Sequence, residues 1–166
     1  MTHDMRYAMP ALILPLVDAA THWPARGALV GLDLGTKTIG VAVSDPDRRL
    51  ATGVETIQRK AFKQDAARLL AIGAERKAVG LVLGLPINMD GSEGPRAEKS
   101  RAVAARLTEA TGLDVVLWDE RRSSVEAHAI LHANGRREKK HRERVDAVAA
   151  SLILEGYLGT LGGLRL

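Results

Sequence analysis

Residues 28–44, ALVGLDLGTKTIGVAVS, constrain the fold more than any other stretch of the chain. Residues 28–34 and 38–44 are two apolar, β-rich runs, and only Gly35, Thr36 and Lys37 separate them, so the pair reads as a β-hairpin. The turn Asp45-Pro46-Asp47 leads into a third run at residues 50–57, and three consecutive antiparallel strands are the simplest account. The period then changes. Phe62, Ala66, Leu69, Leu70 and Gly73 recur at helical spacing, and residues 79–84 are a continuous apolar strand of the kind covered on both faces. Residues 96–111 read as a helix stopped by Gly112, 115–118 as a second buried strand, 123–132 as a helix and 145–158 as a mostly apolar final helix. The order β-β-β-α-β-α-β-α predicts an α/β fold with a mixed five-stranded sheet flanked by helices.

A chain of 166 residues suits one domain. The expected division is an N-terminal appendage at 1–27, the domain at 28–160 and a short tail at 161–166. Within the appendage, residues 8–17 (AMPALILPLV) are too short to span a bilayer and are broken by Pro10 and Pro15. They are expected to form a short helix packed on the domain. The chain has no cysteine, which excludes disulfides, thiolate metal ligands and a cysteine nucleophile and fits a cytoplasmic protein.

Net charge is +4, and residues 135–144, GRREKKHRER, account for all of it with six basic against two acidic side chains. The rest of the chain is neutral. Either this run is a solvated loop, or Arg136, Arg137, Lys139 and Lys140 meet the phosphates of a nucleic acid. Aromatic residues make up only 3%, so stacking platforms for single strands are scarce.

Three acidic positions stand in or beside apolar runs, where an ionised group is costly unless compensated. Asp33 lies inside the first strand, a place that disfavours aspartate unless it bonds the following turn or has a chemical role. Asp119 and Glu120 end a buried strand, and neighbours in a strand point to opposite faces. Only one can easily join Asp33: Glu120 is the choice, with Asp119 supporting it or capping the next helix. Asp146 stands in the first turn of the predicted last helix, where it either complements the helix dipole or is carried inward by the apolar residues that follow. Oxygen ligands alone suit Mg²⁺ or Mn²⁺. Lys37 is either an exposed turn lysine or within reach of phosphate. The segment GLPINMDGSEG leaves the carboxyl end of a buried strand, and its glycines would let backbone amides approach a phosphate.

Together GLDLGTKTIGVAVSD, GLPINMDGSEG, DER and VDAVAASLIL resemble the YqgF/RuvX family of Holliday junction resolvases and pre-16S rRNA nucleases, from about residue 30 to residue 157 with all motifs in order. The resemblance implies an RNase H-like fold with its acidic positions at Asp33, Glu120 and Asp146. The opening motif falls on Gly35, Lys37 and Gly40, and the loop motif on Gly84, Pro86, Asn88 and Gly91. Where members commonly carry a hydrophobic residue and then Ser or Thr after DER, this chain has Arg122-Ser123-Ser124. Residues 1–27 lie outside the resemblance.

The implied function is a metal-dependent endonuclease that trims the 5′ end of the small-subunit rRNA precursor. In a two-metal scheme Asp33 would bridge the ions, Glu120 and Asp146 would hold one each, and Lys37 would stabilise developing charge. Substrate contacts would come from Gly35, Asn88, Gly91, Arg121, Arg136, Arg137, Lys139 and Lys140. Structured RNA is expected ahead of four-way DNA, with no membrane partner and a monomer or homodimer. Three other functions remain open: a four-way DNA resolvase, a non-catalytic RNA-binding assembly factor, and an ATP-binding actin-like fragment, since GLDLGT also resembles the phosphate turn of those ATPases.

Overall fold

The computed structural model describes residues 13–14, 23–122 and 139–164, the side chains of 13–14, 122, 139–144 and 162–164 excepted. Its strands are β1 (Ile13–Leu14), β2 (Ala28–Leu34), β3 (Thr38–Ser44), β4 (Ala51–Gln58), β5 (Ala78–Leu85) and β6 (Asp114–Asp119). Its helices are α1 (Phe62–Arg76), α2 (Pro95–Thr111) and α3 (Lys139–Leu164), and a single 3-10 turn, Glu120–Arg122, follows β6. The sheet runs β1-β6-β5-β2-β3-β4. β2, β3 and β4 are antiparallel neighbours, while β5 is parallel to both β2 and β6.

All five predicted strands are present, and the β2–β3 hairpin closes through the Gly35 N–H donating to the Thr38 carbonyl at 2.8 Å. Gly112 ends α2 in the left-handed conformation (φ 71°), as its place after the apolar stripe implied. Two expectations are corrected. Ile13 and Leu14 are not helical but form a two-residue strand parallel to β6, opposite Val115 and Val116. Pro10 and Pro15 bracket them and deny a helix its interior, whereas the open edge of β6 offers backbone partners. The last helix also starts at Lys139 rather than residue 145 and runs through 161–164. Lys, Arg and Glu are strong helix formers, so a charged run need not break a helix. The helix predicted at 123–132 lies outside the described residues.

Strand alternation divides the core between the two faces of the sheet. Val30, Leu32, Leu34, Ile39, Val41, Val43, Leu81 and Leu83 pack with Ala66, Leu69, Ile72, Ala104 and Leu107 of α1 and α2. On the other face Leu29, Ala42, Val82 and Val116 meet Ala150, Ile153, Leu154, Tyr157 and Leu158 of α3. The second face is lined by small residues. A Cβ at Gly31 would stand 2.8 Å from Leu154 Cβ, one at Gly40 2.0 Å from the Asp146 carbonyl oxygen, and one at Gly53 2.8 Å from the Ala147 carbonyl oxygen. Glycines in strand interiors cost stability unless another backbone approaches closely, which α3 does at these positions. The helix therefore sits directly on the sheet, on the face to which Asp33 points.

Candidate active site

Asp33 shares a sheet face with Gly31, two residues before it, and pairs across the ladder with Gly40. Its carboxylate is half-buried beneath the α3 face. Glu120 reaches the same place from the far side. It is the first residue of the 3-10 turn, and its side chain folds back over Gly84, where a Cβ would stand only 2.6 Å from Oε1. The Glu120 and Asp33 carboxyls lie within hydrogen-bonding reach of each other, a contact that favours the protonated form of Glu120. Burial, that hydrogen bond and the neighbouring Asp33 charge push the Glu120 carboxyl up to about 8, with the Arg96 guanidinium pulling in the opposite sense.

Such a pair fits a bound cation. Two carboxyls forced together in a half-buried place retain a proton near neutral pH, and a divalent ion would displace it and neutralise both. A direct consequence concerns pH. A Glu carboxyl raised from 4.5 to about 8 contributes stability that is complete below about pH 4.5 and lost as pH rises through about 8. In EDTA the melting temperature of the wild type should therefore fall between pH 6 and pH 8.5 more than that of Glu120→Gln. Parallel slopes in the two proteins would remove Glu120 from the pair.

Asp146 lies one strand away. Its backbone rests on Gly40, the ladder partner of Asp33, and its Oδ2 accepts a hydrogen bond from Thr38 Oγ1 at 2.5 Å. It is the eighth residue of α3 rather than a member of the first turn, which corrects the sequence placement. Helix-dipole stabilisation fades within the first turn, so the dipole does not explain this carboxylate. Among the described residues no three acidic or histidine side chains are gathered closely enough to form a metal cluster. The structure thus brings Asp33 and Glu120 into contact and leaves Asp146 beside them, turned to Thr38.

Asp119 and Arg121 form a separate unit. The backbone N–H of Arg121 donates to Asp119 Oδ1 at 3.0 Å, and its Nη2 donates to Oδ2 at 2.7 Å. Its Nε also donates to the Asp119 carboxylate, and Nη1 reaches the carbonyls of Asn88 and Met89 at 3.5 and 3.4 Å. Asp119 therefore supports Arg121, and Arg121 braces the loop after β5. Asn88 is occupied within that loop: its N–H donates to the Ser92 carbonyl at 2.9 Å, and its amide donates to Ser92 Oγ at 3.1 Å. Gly91 turns with φ 89° and donates its N–H to the Asn88 carbonyl. Gly35 is braced by Arg59 Nη1, which donates to its carbonyl at 2.7 Å, and Lys37 is exposed at the hairpin tip. Arg136 and Arg137 lie outside the described residues. Lys139 and Lys140 open α3, with their side chains undescribed.

Two residues here were not singled out from sequence. Thr38 is the partner of Asp146 across 108 positions of chain, and Arg96, in the first turn of α2, places a positive charge near Glu120.

Residues 27–160 match the family described as "RuvX: Holliday junction resolvase". A protein of Bradyrhizobium diazoefficiens named "Putative pre-16S rRNA nuclease" is 69% identical over 157 residues, covering 95% of this chain and 98% of that relative. One of Rhodopseudomonas palustris with the same name is 63% identical with the same coverage. Among solved structures, RuvC of T. thermophilus in complex with a Holliday junction substrate superposes with a TM-score of 0.53 at 13% identity. The match covers 82% of this chain and 96% of that one, a likeness of fold alone.

Proposed function

We propose that this chain, which belongs to the RuvX family, is a metal-dependent endonuclease that processes the 5′ end of pre-16S rRNA. The observation that carries the proposal is the carboxyl pair of Asp33 and Glu120 over Gly84, beside the carboxyl ends of β2 and β5. Open α/β sheets place their ligands at that edge. The relatives' shared name supplies the RNA.

Asp33 and Glu120 would hold Mg²⁺ or Mn²⁺, with Asp146 completing the set from α3. The bound ion supplies Lewis-acid stabilisation of the scissile phosphate and lowers the pKa of the attacking water. A carboxyl raised to about 8 must ionise to hold a cation, so occupancy should improve as pH rises. Arg96 offers an approaching phosphate a positive charge next to Glu120, and Lys37 offers another from the exposed hairpin tip. The basic residues Arg136, Arg137, Lys139 and Lys140 would add contacts that bind backbone without reading sequence. No helix among the described residues is long and apolar enough to cross a membrane.

A second substrate, four-way DNA, is favoured by the description of the family itself. One assay separates the two. With Mg²⁺ or Mn²⁺, a precursor rRNA fragment carrying its 5′ leader should be cut, and cutting should stop in EDTA. Exclusive cutting of a DNA four-way junction would replace RNA by DNA, and cutting of neither would remove the nuclease assignment.

A further inference from the structure

Met89 is 86% exposed, more than Leu50 at 71% or Leu70 at 44%, the other exposed large hydrophobic residues of the described chain. An apolar side chain held in water is ordinary on a surface, but this one occupies the tip of a loop that is otherwise polar and unusually well tied. Within residues 88–92 the Asn88 N–H donates to the Ser92 carbonyl, the Gly91 N–H to the Asn88 carbonyl, and both the N–H and Oγ of Ser92 to Asp90 Oδ1, at 2.6 to 2.9 Å. From outside, Arg121 reaches the Asn88 and Met89 carbonyls while Asp119 grips its guanidinium. Arg121 is also the residue next to Glu120. The tip is therefore joined to the carboxyl pair through one side chain and one peptide bond.

The aromatic side chains among the described residues, the usual partners of bases, are already engaged. Trp23, Trp118 and Tyr157 are buried against one another on the α3 face, and Phe62 lies under Arg106. The fifth, Tyr7, is outside the described residues.

We propose that residues 86–94 form a wedge: the loop presents Met89 to the base stack of a nucleic acid, next to the phosphate delivered to Asp33 and Glu120, with Asp119 and Arg121 as its strut. The inference rests on the nucleic-acid reading above. Apolar side chains such as Met enter between base steps, unstack them and bend the strand at that point. The thioether is polarisable and unbranched, so it fits between bases without selecting among them. A protruding wedge on a braced loop would place the strand's bend at the scissile position, and would favour structured substrates that open easily there.

The test reads stacking directly. A precursor rRNA hairpin and a DNA four-way junction, each carrying 2-aminopurine in turn at the positions flanking the cut, are titrated with protein in EDTA. Wild type should raise the fluorescence severalfold at one step, Met89→Leu should retain the rise, and Met89→Ala should lose it. With Mg²⁺, Met89→Ala should cut the structured substrate about tenfold more slowly, the scale of one lost base contact. Arg121→Ala, which frees the loop, should lower the fluorescence rise as well. An equal rise in wild type and Met89→Ala, or no rise in wild type at any step, overturns the wedge even if cleavage proceeds. Failure of cleavage alone would strike the nuclease assignment and leave the fluorescence result to decide the wedge.

Discussion

Asp33→Asn should leave the fold intact and lower metal-dependent cleavage by at least about 10²- to 10³-fold, the scale of losing one electrostatic catalytic group. Asparagine has the same shape, so β2 keeps its pairing with β3 and β5 and α3 keeps its seat. What changes is charge. The Asp33 hydrogen bond and the Asp33 charge both hold the Glu120 proton in place, and the neutral amide removes that repulsion. Burial remains the larger cause, so the Glu120 carboxyl should titrate below its wild-type value yet above the ordinary range. In the absence of metal the variant should accordingly be as stable as wild type at pH 8 or more so, because two crowded carboxyls have become one. Single-turnover rates in Mg²⁺ and thermal melts in EDTA check the two halves separately. A rate within about tenfold of wild type would defeat the assignment of Asp33 to the metal site.

The sequence made Asp33 legible because a carboxylate inside an apolar strand conflicts with strand propensity, and such conflicts mark chemistry. Alternation allowed only one of Asp119 and Glu120 to join Asp33 without saying which; the structure gives Asp119 to Arg121, and Glu120 reaches Asp33 from the 3-10 turn beyond the strand. The rest depended on distance in the chain. Nothing local joins Thr38 to Asp146, or Arg96 to Glu120, since each contact exists only once α2 and α3 have docked on the sheet. The start of α3 was misplaced for a different reason. A run of charge reads as a loop when composition is weighed, but Lys, Arg and Glu have high helix propensity, and the helix continues through them. That error moved Asp146 into a first turn it does not occupy and lent the dipole explanation a force it does not have. Pairing of Ile13 and Leu14 with β6 was equally hidden, because a two-residue strand has no period to detect.

Gly40→Ala should be among the most damaging single-methyl changes in the chain, and it probes how the acidic site is assembled. A Cβ there would stand 2.0 Å from the Asp146 carbonyl oxygen and 2.4 Å from its carbon, backbone atoms that no rotamer change can move. Helix α3 would have to lift from β3. Its inner side carries Ala150, Ile153, Leu154 and Tyr157, all fully buried, so lifting opens the packing on Ala42 and Val82 as well. Overpacking of this kind costs about 1–3 kcal/mol, which for a domain of this size lowers Tm by roughly 2–12 °C. Cleavage should fall further than stability alone accounts for, by about 10²-fold, because Asp146 rides on the part of α3 that must move relative to Asp33. Gly159 supplies the contrast. It lies on the same helix, exposed, and a Cβ there meets nothing within 4 Å, so Gly159→Ala should stabilise the protein by about 0.5–1 kcal/mol and leave cleavage alone. Melts and single-turnover rates of the two variants, side by side, separate a helix seated on glycine from a helix merely near it. If Gly40→Ala melts and cleaves like wild type, the close approach of α3 to β3 is not what positions Asp146.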